Sequence, residues 1–228
     1  MAACQTPPAA EPPKPVWLPE VNRQIQAVLT SVEAEEAKFA EPPKPHDKEW
    51  VRRKLQHMVN IDQMVRTASE DPKLSGWSPD ARRHFNQKRG ALMGKIDRAN
   101  TAELKELLKI HHWFTVSEFG EKVDNLAWLL VQHADHDVAF QQQVLGILTE
   151  LHAKGETRPS SYAYLWDRVA GHTGKKQRYG TQGRCIGPGV WEPFEIEDPA
   201  NLEKRRAGVG LPSMQVYRKI FRERGLCP

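Results

Sequence analysis

Residues 119–137 read FGEKVDNLAWLLVQHADHD, and the fold turns on how this stretch is laid out. Phe119, Val123, Leu126, Leu130 and His133 advance by four, three, four and three, which places them on one face of an α-helix over 118–134. His133 continues the apolar stripe, so it is expected to face the core or a cleft. Gln132 and His136 are four apart and lie close together on a neighbouring face. Asp135 and Asp137 read as the end of this helix and the N-cap of the next. His133 therefore has two readings, a satisfied buried histidine or a working base. His133 and His136 are three apart and could also offer two nitrogens to one metal. A metal site needs further ligands, and spacing fixes none of Asp135, Asp137, His111 or His112 in that role.

Helical spacing extends in both directions. Val21, Ile25, Val28, Leu29 and Val32 mark a helix over 20–40, and EPPKPHD at 41–47 ends it. Val51, Leu55, Met58, Val59, Ile61, Met64 and Val65 mark a second over 49–69. A polar helix with Gly90 and Gly94 inside is expected over 81–100. Asn100 with Glu103 three residues on has the form of a capping box, which predicts a separate helix over 101–110. Residues 111–120 form a connection. A helix over 138–153 stops before Gly155. Ser160 or Ser161 is expected to cap the helix YAYLWDRVA. Beyond Gly171 the chain is Gly/Pro-rich, with loops and one short hairpin. Asp198 caps a further helix with Pro199 at its first position, and a last helix covers 212–224.

No strands alternate with helices and no repeat period is present. The expected fold is mainly α. A single compact helical domain over 20–228 carries a Gly/Pro-rich C-terminal loop region and follows a Pro-rich disordered tether over 1–19.

The chain has 228 residues, 33 Lys and Arg against 29 Asp and Glu, and a formal net charge of +4. That mild basicity comes without a basic stripe interleaved with aromatics or a zinc-finger spacing, so no nucleic-acid partner is expected. The longest apolar run, LAWLLV at 126–131, is far short of the ~18 residues that a spanning helix needs. The opening MAACQTPP resembles the end of a lipobox. In that reading Cys4 is the lipidated residue of a mature protein anchored on the periplasmic side of the cell envelope, and QTPPAAEPPKP is its tether. The alternative is a cytoplasmic protein. Cys185 and Cys227 could pair in an oxidising compartment, but sequence does not show their proximity.

Two more polar clusters stand out. In YAYLWDRV, Tyr164 and Arg168 are four apart and Asp167 adjoins Arg168, as a structural ion pair or as site residues. In QRYGTQGR at 177–184, Tyr179, Gly180, Thr181 and Gln182 could cradle an anionic or amide group. The loop lacks the order of a phosphate loop. No nucleophile elbow, HExxH motif or cofactor signature is present.

Together with IDQMVR (61–66), AWLLVQHADHD, FQ (140–141) and IEDPANLEKRRAGVGLPSMQVY, these clusters resemble a bacterial family catalogued as domain of unknown function 6624. The resemblance covers roughly residues 50–217. The family pattern has Gly-Trp-Pro at the tryptophan turn, where this chain has His112-Trp113-Phe114. The resemblance implies that the polar clusters belong to one design and supplies no reaction.

These readings predict one cleft lined by Gln132, His133, Asp167, Arg168, Tyr179, Thr181 and Gln182, with Asp62, Gln63 and Arg66 reaching it from the second helix. One function is a cofactor-independent hydrolase or transferase. His133 would be its base, oriented by Asp167 or Asp135; Arg168 and the Tyr179–Gln182 loop would bind a carboxylate or phosphate, and Tyr164 would position substrate. The alternatives are a non-catalytic envelope lipoprotein that is a scaffold or binds a small molecule, peptide, glycan or protein partner, and a metal protein using His133 and His136.

Overall fold

The computed structural model describes residues 15–227. Cys4 and residues 1–14 of the expected tether lie outside the described residues. Helix α1 (Leu18–Glu36) begins with Pro19 in its first turn and buries Val21, Val28 and Val32. Helix α2 (Lys48–Thr67) is capped by Asp47, whose side chain accepts from the Glu49 and Trp50 N–H groups. One face of α2 is buried from Trp50 to Val65, and Asp62 lies within it. Helix α3 runs unbroken from Pro79 to His111.

The capping box at Asn100 therefore does not start a helix. Thr101 is buried, and its hydroxyl donates to the Asp97 carbonyl 2.7 Å away, one turn back in the same helix. Ile96 on one side packs with α1 and α2, while Leu104, Leu107 and Leu108 on the other join the main core. Tertiary burial of both halves overrides a local capping preference worth about 1 kcal/mol.

The central stretch forms a short helix α4 (Val116–Phe119) and then α5 (Glu121–Gln132). The expected 118–134 helix is thus split at Gly120, whose φ of +84° suits glycine. Asp137 caps α6 (Val138–Ala153) through the Phe140 N–H. Helix α7 (Pro159–His172) starts at Pro159 rather than at a serine cap, and Ser161 is buried inside its first turn. The cap is replaced by a distant residue. Asp124 of α5 is fully buried and accepts from the Arg158 N–H, the Thr157 hydroxyl and the Trp113 indole at 3.0, 2.8 and 2.7 Å.

An antiparallel hairpin follows, β1 (Gly183–Gly187) and β2 (Val190–Pro193). Gly183 is required there: a Cβ would stand 2.2 Å from the Glu192 carbonyl and 2.4 Å from the Trp191 ring. Asp198 precedes a 3-10 turn (Pro199–Asn201) and accepts from the Asn201 amide 2.8 Å away. Helices α8 (Leu202–Gly208) and α9 (Met214–Glu223) complete the chain. Among the described residues no helix is long and apolar enough to cross a membrane.

The main core gathers around α5, with Trp50, Leu55, Leu104, Phe114, Leu148 and Leu165 from α2, α3, the tryptophan turn, α6 and α7. Each such side chain contributes about 1.5–3 kcal/mol on burial. Trp191, Leu202, Met214 and Tyr217 form a smaller core under the hairpin. It is closed by a disulfide between Cys185 and Cys227, whose Cα atoms are 5.4 Å apart. The bridge spans 42 positions, so closing that loop removes about 4 kcal/mol of unfolded-state entropy.

The tryptophan turn carries strain. His112 is the only non-glycine residue with positive φ among the described residues, at φ +57° and ψ −48°. Around it the Trp113 N–H donates to the His111 carbonyl at 2.6 Å, a γ-turn. Such a conformation costs on the order of 1–3 kcal/mol for a residue with a Cβ. Replacing the exposed His112 by Gly is therefore expected to raise stability by about 1 kcal/mol in a denaturation measurement, net of glycine's extra unfolded-state entropy.

Candidate functional site

The end of α5 feeds two polar networks. Towards α2 and α3, His133 Nδ1 donates to Asp62 Oδ1 at 2.9 Å. Asp62 also accepts from Arg66 Nε at 2.9 Å and Gln63 Nε2 at 2.7 Å, and Arg66 Nη2 reaches Asp97 at 2.5 Å. Burial alone would raise the Asp62 carboxyl, but the His133 and Arg66 contacts outweigh it and hold it below its ordinary value. Burial raises the Asp97 carboxyl in spite of Arg66. With Nδ1–H donated to a carboxylate, Nε2 is the nitrogen of His133 left to take a proton.

A carboxylate with a lowered folded pKa stabilises the fold above its unfolded pKa, and that stability is lost as pH falls through the folded value. The stability advantage of the wild type over Asp62→Asn should thus shrink as pH drops below 3.8 in urea titrations at several pH values. An advantage that grows as pH falls through that range would contradict the assignment.

Asp62, Asp97 and His133 offer ligand atoms within 4.8 Å of one another. His136 is exposed and is not a member of that group. The two carboxylates already hold a cation, the Arg66 guanidinium, which bonds both. A metal ion would have to displace it.

Towards α7, Gln132 is buried and its Oε1 accepts from Arg168 Nε at 2.6 Å. Arg168 Nη1 donates to both Asp135 oxygens at 2.9 and 2.8 Å. Gln141, fully buried in α6, donates to Asp135 and to the Val131 carbonyl and lies 3.0 Å from His172 Nδ1. Burial alone would raise the Asp135 carboxyl; Arg168, Gln141 and His172 outweigh it and hold it low. Arg168 Nη2 makes no hydrogen bond to protein among the described residues.

Asp167 is turned elsewhere, although it adjoins Arg168 in sequence. It is fully buried and accepts four hydrogen bonds, from the Arg178, Tyr179 and Thr181 N–H groups and the Thr181 hydroxyl, at 2.8–3.1 Å. The two residues do not form an ion pair, because helix geometry sends consecutive side chains about 100° apart. From the other side buried Arg206 donates to the Tyr179 carbonyl at 2.5 Å and the Pro212 carbonyl at 2.7 Å. The YGT loop is thus clamped between a buried anion and a buried cation. Gly180, at φ +64°, leaves no room for a Cβ beside Met214 and Ile196. Burial pushes the Tyr179 hydroxyl up to about 12. Tyr164 packs against the Trp128 and Tyr217 rings.

The expected single cleft is therefore divided. Of its residues Arg168 and Gln182 line an open cleft of about 400 Å³, which also receives His172, Lys175, Lys176 and Phe194. Thr181, Tyr179 and Asp167 lie buried behind it, and His133 faces α2. Asp62, Gln63 and Arg66 do meet His133. Neither Asp167 nor Asp135 orients it. Apart from the FQ pair at 140–141, no motif in the sequence marks Gln141, His172 or the two lysines as site residues.

A family model described as a family of unknown function (DUF6624) matches residues 50–226. No curated protein and no solved structure matches the chain.

Proposed function

We propose that this chain, which belongs to the family of unknown function DUF6624, binds a small anionic ligand in the Arg168 cleft and works on the periplasmic side of the cell envelope. One observation carries the ligand: Arg168 is held by Gln132 and Asp135 through two of its nitrogens, leaving Nη2 to the cleft it lines. A guanidinium fixed in this way is pre-organised for a carboxylate or phosphate. Lys175 and Lys176 add positive charge to the lining, and its one carboxylate, Glu195, is paired with Lys176 at 2.6 Å. Phe194 offers an exposed ring to an apolar part of the ligand. The volume is that of small-molecule pockets. The envelope location is supported by the Cys185–Cys227 bridge, since disulfides persist in oxidising compartments, and by Cys4 standing directly before a Pro-rich segment.

The test is a thermal-shift panel of small carboxylates and phosphate esters on wild type and Arg168→Ala. At least one compound should stabilise the wild type and leave the variant unmoved. A panel that shifts both proteins equally, or neither, would sink the proposal.

The His133–Asp62 contact favours a second reading, a hydrolase or transferase in which Asp62 orients His133 and Nε2 accepts the proton. Ester or phosphate-ester turnover by the wild type that disappears in a folded His133→Gln variant would support it. Turnover unchanged in that variant would exclude it.

A further inference from the structure

Among the described residues, six large apolar side chains are exposed, and five of them lie between Ile186 and Leu226. Three belong to one knob. Ile186 and Val190 flank the hairpin turn at 57% and 45% exposure, and Leu226 at 50% precedes Cys227. The disulfide joins the residues beside Ile186 and Leu226, and the Gly189 N–H donates to the Cys227 carbonyl at 2.8 Å. The tip of the hairpin and the end of the chain are thereby stapled into one surface. Cations surround it. Arg184 is exposed on β1, and Arg222 and Arg224 are exposed at the end of α9, with the Arg222 side chain packed beside Gly189. The α9 cations Arg218 and Lys219 pair with Glu192 and Glu223, but Arg184, Arg222 and Arg224 make no ion pair among the described residues.

We propose that this knob docks on an anionic membrane surface. Exposed apolar side chains clustered on a rigid turn mark an interaction site. Unpaired arginines around them select a partner that is apolar within and negative at its surface, which a bilayer containing anionic phospholipid is. The apolar tip enters the headgroup boundary while the arginines stay at phosphate level. This reading is independent of the Arg168 cleft, which neither the three apolar side chains of the knob nor its three arginines line.

The test uses the full chain with Cys4→Ser, so that no acyl group contributes. It is sedimented with vesicles of phosphatidylcholine, with or without phosphatidylglycerol. Binding is expected only to the phosphatidylglycerol vesicles and should weaken with salt, since the Debye length falls from about 10 Å at 0.1 M to about 3 Å at 1 M. Arg222→Glu should weaken it about fivefold or more, each basic side chain near such a surface being worth about that factor. Ile186→Asp with Val190→Asp should weaken it further while the circular dichroism and the response to Arg168 ligands stay unchanged. Equal binding to neutral vesicles, no binding to either, or wild-type binding by the folded variants would overturn the proposal. So would a concentration-dependent dimer that Ile186→Asp abolishes, which would assign the knob to a second copy of the chain.

Discussion

Asp167→Ala should lower the melting temperature by on the order of 10 °C. The side chain has no solvent exposure and accepts four hydrogen bonds that hold residues 178–181 in place. Each buried donor left without a partner costs about 1–3 kcal/mol. Removing a carboxylate whose burial raises its pKa recovers part of that cost. A net loss on the order of 4 kcal/mol remains, and a chain of this size moves by roughly 2–4 °C per kcal/mol. The Tyr179 carbonyl is also held by Arg206, so the loop loses one of its two anchors rather than both. The comparison is Asp135→Ala. That side chain is about half exposed, and its loss should cost about 1 kcal/mol or less. Calorimetric scans showing equal shifts for the two variants would contradict the structural role given to Asp167.

The second large effect is on binding. Arg168→Ala should weaken the anionic ligand found in the panel by roughly 10- to 150-fold, the equivalent of 1.5–3 kcal/mol for a hydrogen bond to a charged group. Arg168→Lys should rescue little of it. A lysine ammonium cannot bond Gln132 and Asp135 and still present a third nitrogen in the same plane. Lys175→Ala and Lys176→Ala should cost less than about fivefold each, because both side chains are exposed and screened by solvent.

What the sequence makes legible follows from the range of each interaction. Local periodicity located the helices, because one buried stripe repeats at the helical period whatever it packs against. It also placed His133 at the end of that stripe. Local rules failed where a distant residue took over. The capping box at Asn100 lost to burial on both sides of it, and the serine cap of α7 lost to Asp124 from another helix. Side-chain direction was the other blind spot. Asp167 and Arg168 are neighbours in sequence, yet one is a buried loop anchor and the other a cleft wall. Gln132 and His133 likewise part, one to α7 and one to α2. Grouping these residues into one cleft treated adjacency along the chain as adjacency in space. The strain at His112 is a backbone property that only dihedral angles could give.

The role proposed for Arg168 is to receive an anion on its third nitrogen. Its most direct measurement is isothermal titration of the best panel ligand into wild type and Arg168→Lys at matched pH and salt. Saturable one-site binding to the wild type, weakened at least about tenfold in a fully folded Arg168→Lys variant, is the predicted result. Equal affinity for the two proteins would contradict it.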